Sequence, residues 1–334
     1  MKVSATTPGK LVVLGEYAVL TGAPAIVLAI DRRCQVELGP SENEQCHLRS
    51  CAPEPEQTSF PVGDESGVAL VDLVVGASEA GSPLAWRGSL DSSGFFDGQT
   101  KLGIGSSAAA LTAWAAAWSV YTGKGHIARD AIGLERLIGL HRAFQGGSGS
   151  GLDVAASLMG GAITYRLVPG SGPCIGSVRL PNSVGFTSVF TGCSASTRDL
   201  LAAYSDWRTA RPTQAAEQLQ LLGRIAEDGC AAARENDAGE FLTAVAAYGR
   251  RLEVLGECIG AAVVTAEHRE ILRHSEHFGV VYKVSGAGGG DLGIAFSADP
   301  DALAAFKVAV RMKHRVVDLH VDTTGLSIEE QSGE

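Results

Sequence analysis

Apolar and polar positions follow two different periods along this chain, and the switches between them mark its elements. Residues 11–14 form a β-rich run ended by Gly15, and 25–30 form a second apolar run stopped by the polar pair Asp31 and Arg32. Residues 34–38 (Cys-Gln-Val-Glu-Leu) alternate as a half-buried strand does. Pro, Glu, Ser and Gly dominate 39–65, which predicts loops around a short strand near His47. Helical spacing runs over 67–80, and 89–100 reads as a strand with turns. Helices are predicted over 107–121, 128–144 and 153–158, the last ended by Gly160 and Gly161. A strand (162–167) and a loop (168–176) follow.

The second half is predicted as a strand (186–190), helices (212–235, 239–258 and 264–277), a strand (279–284), a glycine loop (285–290), a strand (292–296), a helix (300–312) and a final strand (315–321). The polar tail, 327–334, is expected to fray. Interleaved strands and helices give an α/β or α+β architecture. The length of 334 residues suits two domains, which we divide as 1–180 and 181–334.

Composition narrows the function. Hydrophobic residues are 45% and charged residues 19%, as in ordinary globular proteins. A net charge of -10 argues against nucleic acid as the main partner, so a phosphorylated ligand must meet local cations. No run of about 18 apolar residues predicts a membrane span, and the N-terminus lacks a signal-peptide layout. The seven cysteines, at 34, 46, 51, 174, 193, 230 and 258, include no Cys-x-x-Cys pair. Reduced thiols and a cytoplasmic location are expected, with the oligomeric state left open.

Four glycine-rich turns carry the candidate chemistry. "KLGIGSSAAALTAW" begins at Lys101 and sets Gly103, Ile104, Gly105, Ser106, Ser107 and Ala108 at a helix start. Free N–H groups and the helix dipole favour an anion there, while tight packing of a capped helix explains the same residues. "SGAGGGDLGIAF" (285–296) has the glycine density of an anion nest, or of an unusual hairpin turn. In "QGGSGSGLDVAAS" (145–157), Asp153 is either an N-cap or a carboxylate held beside a phosphoryl centre. In "TPGKLVVLGEYAVLTGAPA" (7–25), Lys10 lies between a Pro-Gly turn and an apolar strand, and Glu16 and Tyr17 sit in the following turn.

These four segments in this order resemble the GHMP family of small-molecule kinases over nearly the whole chain. "FTGCSASTRDL" (190–200) and "HRAFQGGSGSGLDVAAS" (141–157) are most similar to its phosphomevalonate kinase branch. Three positions depart from the related patterns: Gly147 stands where the eukaryotic-type motif has lysine, Ile104 replaces leucine, and Leu292 stands where cysteine is frequent. The resemblance implies an α+β GHMP kinase fold, with a ribosomal protein S5 domain 2-like N-terminal domain and a ferredoxin-like C-terminal domain. It implies ATP and Mg2+, with residues 103–108 holding the ATP phosphates and Ser107 near the metal. It also implies (R)-5-phosphomevalonate as acceptor.

On that reading Lys10, Lys101 and Asp153 are catalytic, and Arg198 and Lys283 are further cations. Lys10, Glu16, Tyr17, Ser148, Ser150, Ser196, Thr197, Gly286, Ala287 and Gly288 bind the acceptor. A phosphomonoester is largely ionised at neutral pH, so Asp153 is expected to orient rather than to remove a proton. Kinases for mevalonate or a sugar, a diphosphomevalonate-type decarboxylase and a ligand sensor are the alternatives.

Overall fold

The longest apolar runs become the two central strands of the larger sheet. A computed structural model describes residues 1–78, 84–147, 149–168, 171–194 and 196–331. The first strands are β1 (Lys2–Leu14), β2 (Ala25–Pro40), β3 (Gln45–Ser50) and β4 (Glu56–Pro61). Helix α1 (Ala69–Gly76) precedes β5 (Trp86–Asp91), and β6 (Phe96–Asp97) and β7 (Thr100–Lys101) make a small hairpin. Helices α2 (Ser106–Tyr121), α3 (Ala131–Phe144) and α4 (Leu152–Met159) follow, then β8 (Ala162–Val168), β9 (Gly172–Val178) and β10 (Gly185–Phe190). The helical stretch holds α5 (Thr197–Ala210), α6 (Pro212–Glu235), α7 (Ala238–Ile259) and α8 (Ala266–His277). The chain ends with β11 (Val281–Val284), β12 (Leu292–Ser297), α9 (Pro300–Val310), β13 (Arg315–Val317) and β14 (Ser327–Gln331).

Among the described residues the larger sheet runs β14-β1-β2-β5-β3-β4, with β8 and β9 branching from β2. The smaller runs β11-β12-β10-β13. Helix α2 lies on β1 and β2, under α1, α3 and α4. Every residue from Ala108 to Val120 is buried. Alanine lets a helix covered on all sides approach its neighbours closely, and Trp114 and Trp118 fill the remaining gap against Trp86. Each large side chain so buried contributes about 1.5–3 kcal/mol. The start of α2 is therefore held on a rigid base.

Several expectations are corrected. The runs 25–30 and 34–38 are one strand, because β1 pairs along both and shifts register between Pro8 and Gly9; Asp31 and Arg32 fall in that irregularity. Residues 172–178 are not loop but β9, a hairpin partner of β8. The tail does not fray at its start: 327–331 pair antiparallel with β1. The final strand is only 315–317. Helix α5 was not foreseen; Ser196 caps its start and Pro212 separates it from α6. Helix α3 begins later than expected, because Asp130 caps it by accepting from Gly133 N–H at 2.9 Å.

Candidate active site

Two glycine turns meet at Lys10. This residue lies on β1 just past the register shift and is 9% exposed. Its N–H donates to Ile104 O at 2.8 Å, and its Nζ donates to Gly103 O at 3.1 Å. Gly103 and Gly105 have φ of 73° and 83°. A Cβ at 103 would fall 2.3 Å from Asp291 Cγ, and one at 105 would fall 3.0 Å from Lys10 Cγ. Backbone angle and space both demand glycine there. The N–H groups of residues 103–108 make no hydrogen bond to any described residue. A run of unpaired donors at a helix start, beside a buried ammonium, is an anion cradle.

The second turn, 285–290, approaches Lys10 from the other side. A methyl on Gly286 would lie 3.5 Å from Lys10 Nζ. This turn is clamped on several sides. Tyr17 Oη donates to Ala287 O at 2.6 Å, and Gly289 N–H donates to Val263 O at 2.9 Å. His268 Nε2 lies 2.8 Å from Gly290 O, and Tyr282 Oη lies 2.8 Å from His268 Nδ1. Burial pushes His268 down to about 4, so the imidazole is neutral. A carbonyl only accepts, so Nε2 carries the proton and Nδ1 accepts from Tyr282. The N–H groups of Ala287 and Gly288 have no partner among the described residues.

Lys283 does not face the cleft, which corrects its reading as a phosphate-facing cation. Its fully buried Nζ donates to Glu16 Oε1 at 2.5 Å, to Val284 O at 2.6 Å and to Val12 O at 3.4 Å. Burial lowers its pKa and Glu16 opposes that shift. The pair joins the β1 turn to β11, fixing the floor under the second loop. Glu16 Oε1 also accepts from Gly286 N–H at 3.4 Å. Tyr17 sits at φ 59°, an uncommon angle for a bulky residue, and its ring lies 5.3 Å from that of Tyr204. Burial raises its phenol pKa and keeps it a donor.

The third wall comes from α3 and α4. Asp153 lies in the first turn of α4. His141, which sequence reasoning missed, is buried on α3. Its Nε2 is 3.1 Å from Ser107 Oγ and its Nδ1 is 3.9 Å from Asp153 Oδ1. The available signal was its place on the apolar stripe Leu134, Leu137, Ile138, His141, where a polar residue needs a partner. Arg142 Nε donates to Gly149 O at 2.9 Å, and Tyr165 Oη donates to Ser150 O at 2.5 Å. Ser150 Oγ accepts from Leu152 N–H at 3.4 Å.

The remaining candidates lie outside this bonded network. Lys101 is exposed on β7 and forms no side-chain hydrogen bond or ion pair among the described residues. Ser196, Thr197 and Arg198 are exposed at the start of α5, and Ser196 Oγ accepts from Asp199 N–H at 3.3 Å. Ser148 lies outside the described residues. Gly147 has φ 95° and open space around it. A surface cavity of about 620 Å³ between β10 and α9 contains none of the candidate residues. It lacks the convergent donors and cations of the cleft, so chemistry rather than volume marks the site.

No protein-family profile matches the chain. The phosphomevalonate kinase of Streptomyces sp. (strain CL190) is 27% identical over 339 residues, covering 86% of this chain and 88% of that protein. The mevalonate kinase of Thermococcus sibiricus is 26% identical over 351 residues, covering 99% of each. A solved Streptococcus pneumoniae phosphomevalonate kinase, in complex with phosphomevalonate and AMPPNP, superposes with a TM-score of 0.78 at 19% identity, covering 95% of this chain and 99% of that one. Over most of its length the chain is similar to mevalonate-pathway kinases of the GHMP type. Its α+β architecture is that of the GHMP kinases it superposes on, and relatives that are kinases support phosphotransfer as its reaction class. The four glycine-rich segments that carry the resemblance are the ones that build or flank the cleft around Lys10. No helix among the described residues is long and apolar enough to cross a membrane.

Proposed function

We propose that the protein transfers the γ-phosphoryl group of ATP to (R)-5-phosphomevalonate, giving 5-diphosphomevalonate in the mevalonate route to isoprenoids. The observation that carries this reading is one buried lysine shared by two glycine loops. Two phosphate-bearing substrates need a cation between them; Lys10 Nζ donates to Gly103 O in the first loop and lies 3.5 Å from where a Cβ on Gly286 would fall in the second. The relatedness to kinases for phosphomevalonate and for mevalonate supports the pathway. Arg142 favours the phosphorylated acceptor. Its Nε holds Gly149 O in the loop that lacks the lysine at 147, and a guanidinium keeps further donors for a phosphate.

In the proposed mechanism, residues 103–108 hold the ATP phosphates through backbone N–H groups. Lys10 screens the repulsion between donor and acceptor, and Asp153 orients the reacting groups. Gly286, Ala287 and Gly288, with Tyr17, Ser150, Ser196 and Thr197, surround the acceptor, while Glu16, expected among them, braces the loop from beneath through Lys283 and Gly286 N–H. Lys101 adds positive potential from the hairpin side. No group of three or more His, Cys, Asp or Glu side chains among the described residues could enclose a metal. That suits Mg2+ carried mainly by ATP phosphates and water, with Ser107 and Asp153 as its oxygen ligands. When bound, Mg2+ would neutralise charge on the transferring phosphoryl group. We assign ATP binding to an N-terminal domain, 1–180, and the remainder, 181–334, to a C-terminal GHMP kinase domain, the last strand returning to the first sheet. All seven cysteines are free thiols, which fits a cytoplasmic location.

The deciding experiment is ADP release with phosphomevalonate, mevalonate and a sugar panel. Phosphomevalonate should exceed mevalonate in kcat/KM by at least about a hundredfold, since a site built for a charged group leaves its donors unpaired without it. Preference for mevalonate would overturn the acceptor assignment. Carbon dioxide release would mark a decarboxylase, and binding without ADP formation a sensor.

A further inference from the structure

His141 joins two groups assigned to the transfer site and has no role in the steps above. It sits on the buried face of α3 with 2% of its surface exposed. Its two ring nitrogens face different partners: Ser107 Oγ at 3.1 Å from Nε2, and Asp153 Oδ1 at 3.9 Å from Nδ1. The first is a hydrogen bond. The second is too long for one, but a carboxylate at that distance from a buried ring still biases where the ring proton sits. A carboxylate has no proton to give, so it favours N–H on Nδ1. A neutral ring then has a bare Nε2, which can only accept. The Ser107 hydroxyl must donate to it.

We propose that His141 is a positioning residue that transmits the orientation of Asp153 to the Ser107 hydroxyl. Asp153 fixes the Nδ1–H tautomer, and the tautomer fixes the hydroxyl rotor. Ser107 Oγ then faces the phosphate cradle as an acceptor only, the state a magnesium ligand requires. Without His141 the hydroxyl could turn its hydrogen toward the cradle or toward Gly103–Gly105 backbone atoms. The side chain also ties three separate elements, the start of α2, the last turn of α3 and the first turn of α4, into one unit. The inference rests on Ser107 and Asp153 belonging to the transfer site, and not on which acceptor is used.

The test begins with the intact protein. Histidine 15N NMR on labelled protein at pH 8, with His141 assigned by the signal missing in His141→Asn, should show a neutral ring protonated on Nδ1. Ser107→Ala should leave that tautomer in place, and Asp153→Ala should shift it toward Nε2–H. A proton on Nε2 in the wild type, or indifference to Asp153→Ala, would overturn the proposal even if every variant folds poorly. The kinetic arm uses His141→Asn, expected to lower kcat about tenfold while the acceptor KM stays within about twofold, as for residues that orient a ligand rather than touch substrate. Combining it with Ser107→Ala should cost no more than Ser107→Ala alone. Additive losses, or a lower melting temperature with unchanged kinetics, would mean that His141 only packs. If the wild type phosphorylates no acceptor, the kinase reading fails while the tautomer result still decides this one.

Discussion

The loops at 103–107 and 285–290 look alike in sequence and differ in what they do with their backbone. In the first, the N–H groups of residues 103–108 stay unbonded among the described residues, and the loop is fixed through its carbonyls by Lys10. In the second, Tyr17, Val263, His268 and Glu16 each hold part of the turn. The first loop is a donor surface kept open on a rigid helix. The second is a clamped wall with fewer open donors. Glycine density therefore signals close approach, and only the tally of engaged N–H groups separates a phosphate cradle from a braced turn. Damage to the wall should register as lost stability, and damage to the cradle as lost rate.

The largest effect is expected under the wall. Lys283→Met leaves Glu16 charged and unpaired in the interior, which costs about 3–5 kcal/mol. Urea unfolding should show it, and a second change, Glu16→Gln, should restore much of the stability. A loss below about 1 kcal/mol for Lys283→Met alone would mean that solvent reaches the pair. At the cradle, Lys10→Met should lower kcat by about 10²–10³, the scale for removing one preorganised charge-stabilising donor. Its melting temperature should stay within a few degrees, because the lysine lines a cleft rather than bridging the core. Rate and stability falling together would erase the contrast between the two loops.

The wall also carries a pH signature. His268 is neutral in the folded protein, with its pKa pushed down to about 4 by burial. Unfolding lets it return to about 6.5 and take up a proton, so stability rises with pH between about 4 and 6.5. Full stabilisation is present above 6.5, and it is lost as pH falls toward 4, by up to about 3 kcal/mol. Replacing His268 with Gln should flatten that part of the stability profile. An unchanged profile would mean that His268 already titrates freely in the fold.

Much of this was legible because local rules and tertiary demands agreed. Serines and glycines before an alanine run announced the start of α2, and Asp130, Asp237 and Asp299 cap helices as short polar side chains do. The failures come from partners distant in sequence. Residues 327–331 are polar and look frayed, yet β1 offers an unpaired edge about 320 positions away, and backbone pairing ignores side-chain polarity. Lys283 reads as a cation for phosphate, and only the fold reveals Glu16 buried against it. His141 stands inside the 141–157 segment, but its two contacts, Ser107 and Asp153, lie 34 positions before and 12 positions after it, and only the fold joins them.

The smallest predicted effect is the most informative about the acceptor. Asp153→Asn keeps the shape of the side chain and removes its charge. If the acceptor is a phosphomonoester, its oxygen is already ionised above about pH 6, and the aspartate has no proton to remove. The variant keeps a side-chain oxygen for the metal and the acceptor, and should then lose only about tenfold in kcat through poorer orientation. An alcohol acceptor behaves differently. General-base removal is worth about 10²–10⁴, so the same variant would be nearly inactive. The pH–rate profiles of wild type and Asp153→Asn, measured with phosphomevalonate and then with mevalonate, separate the cases. A tenfold loss with a flat difference between profiles above pH 7 places the charge on the acceptor. A loss above about a thousandfold places the burden on Asp153, and with it favours the alcohol.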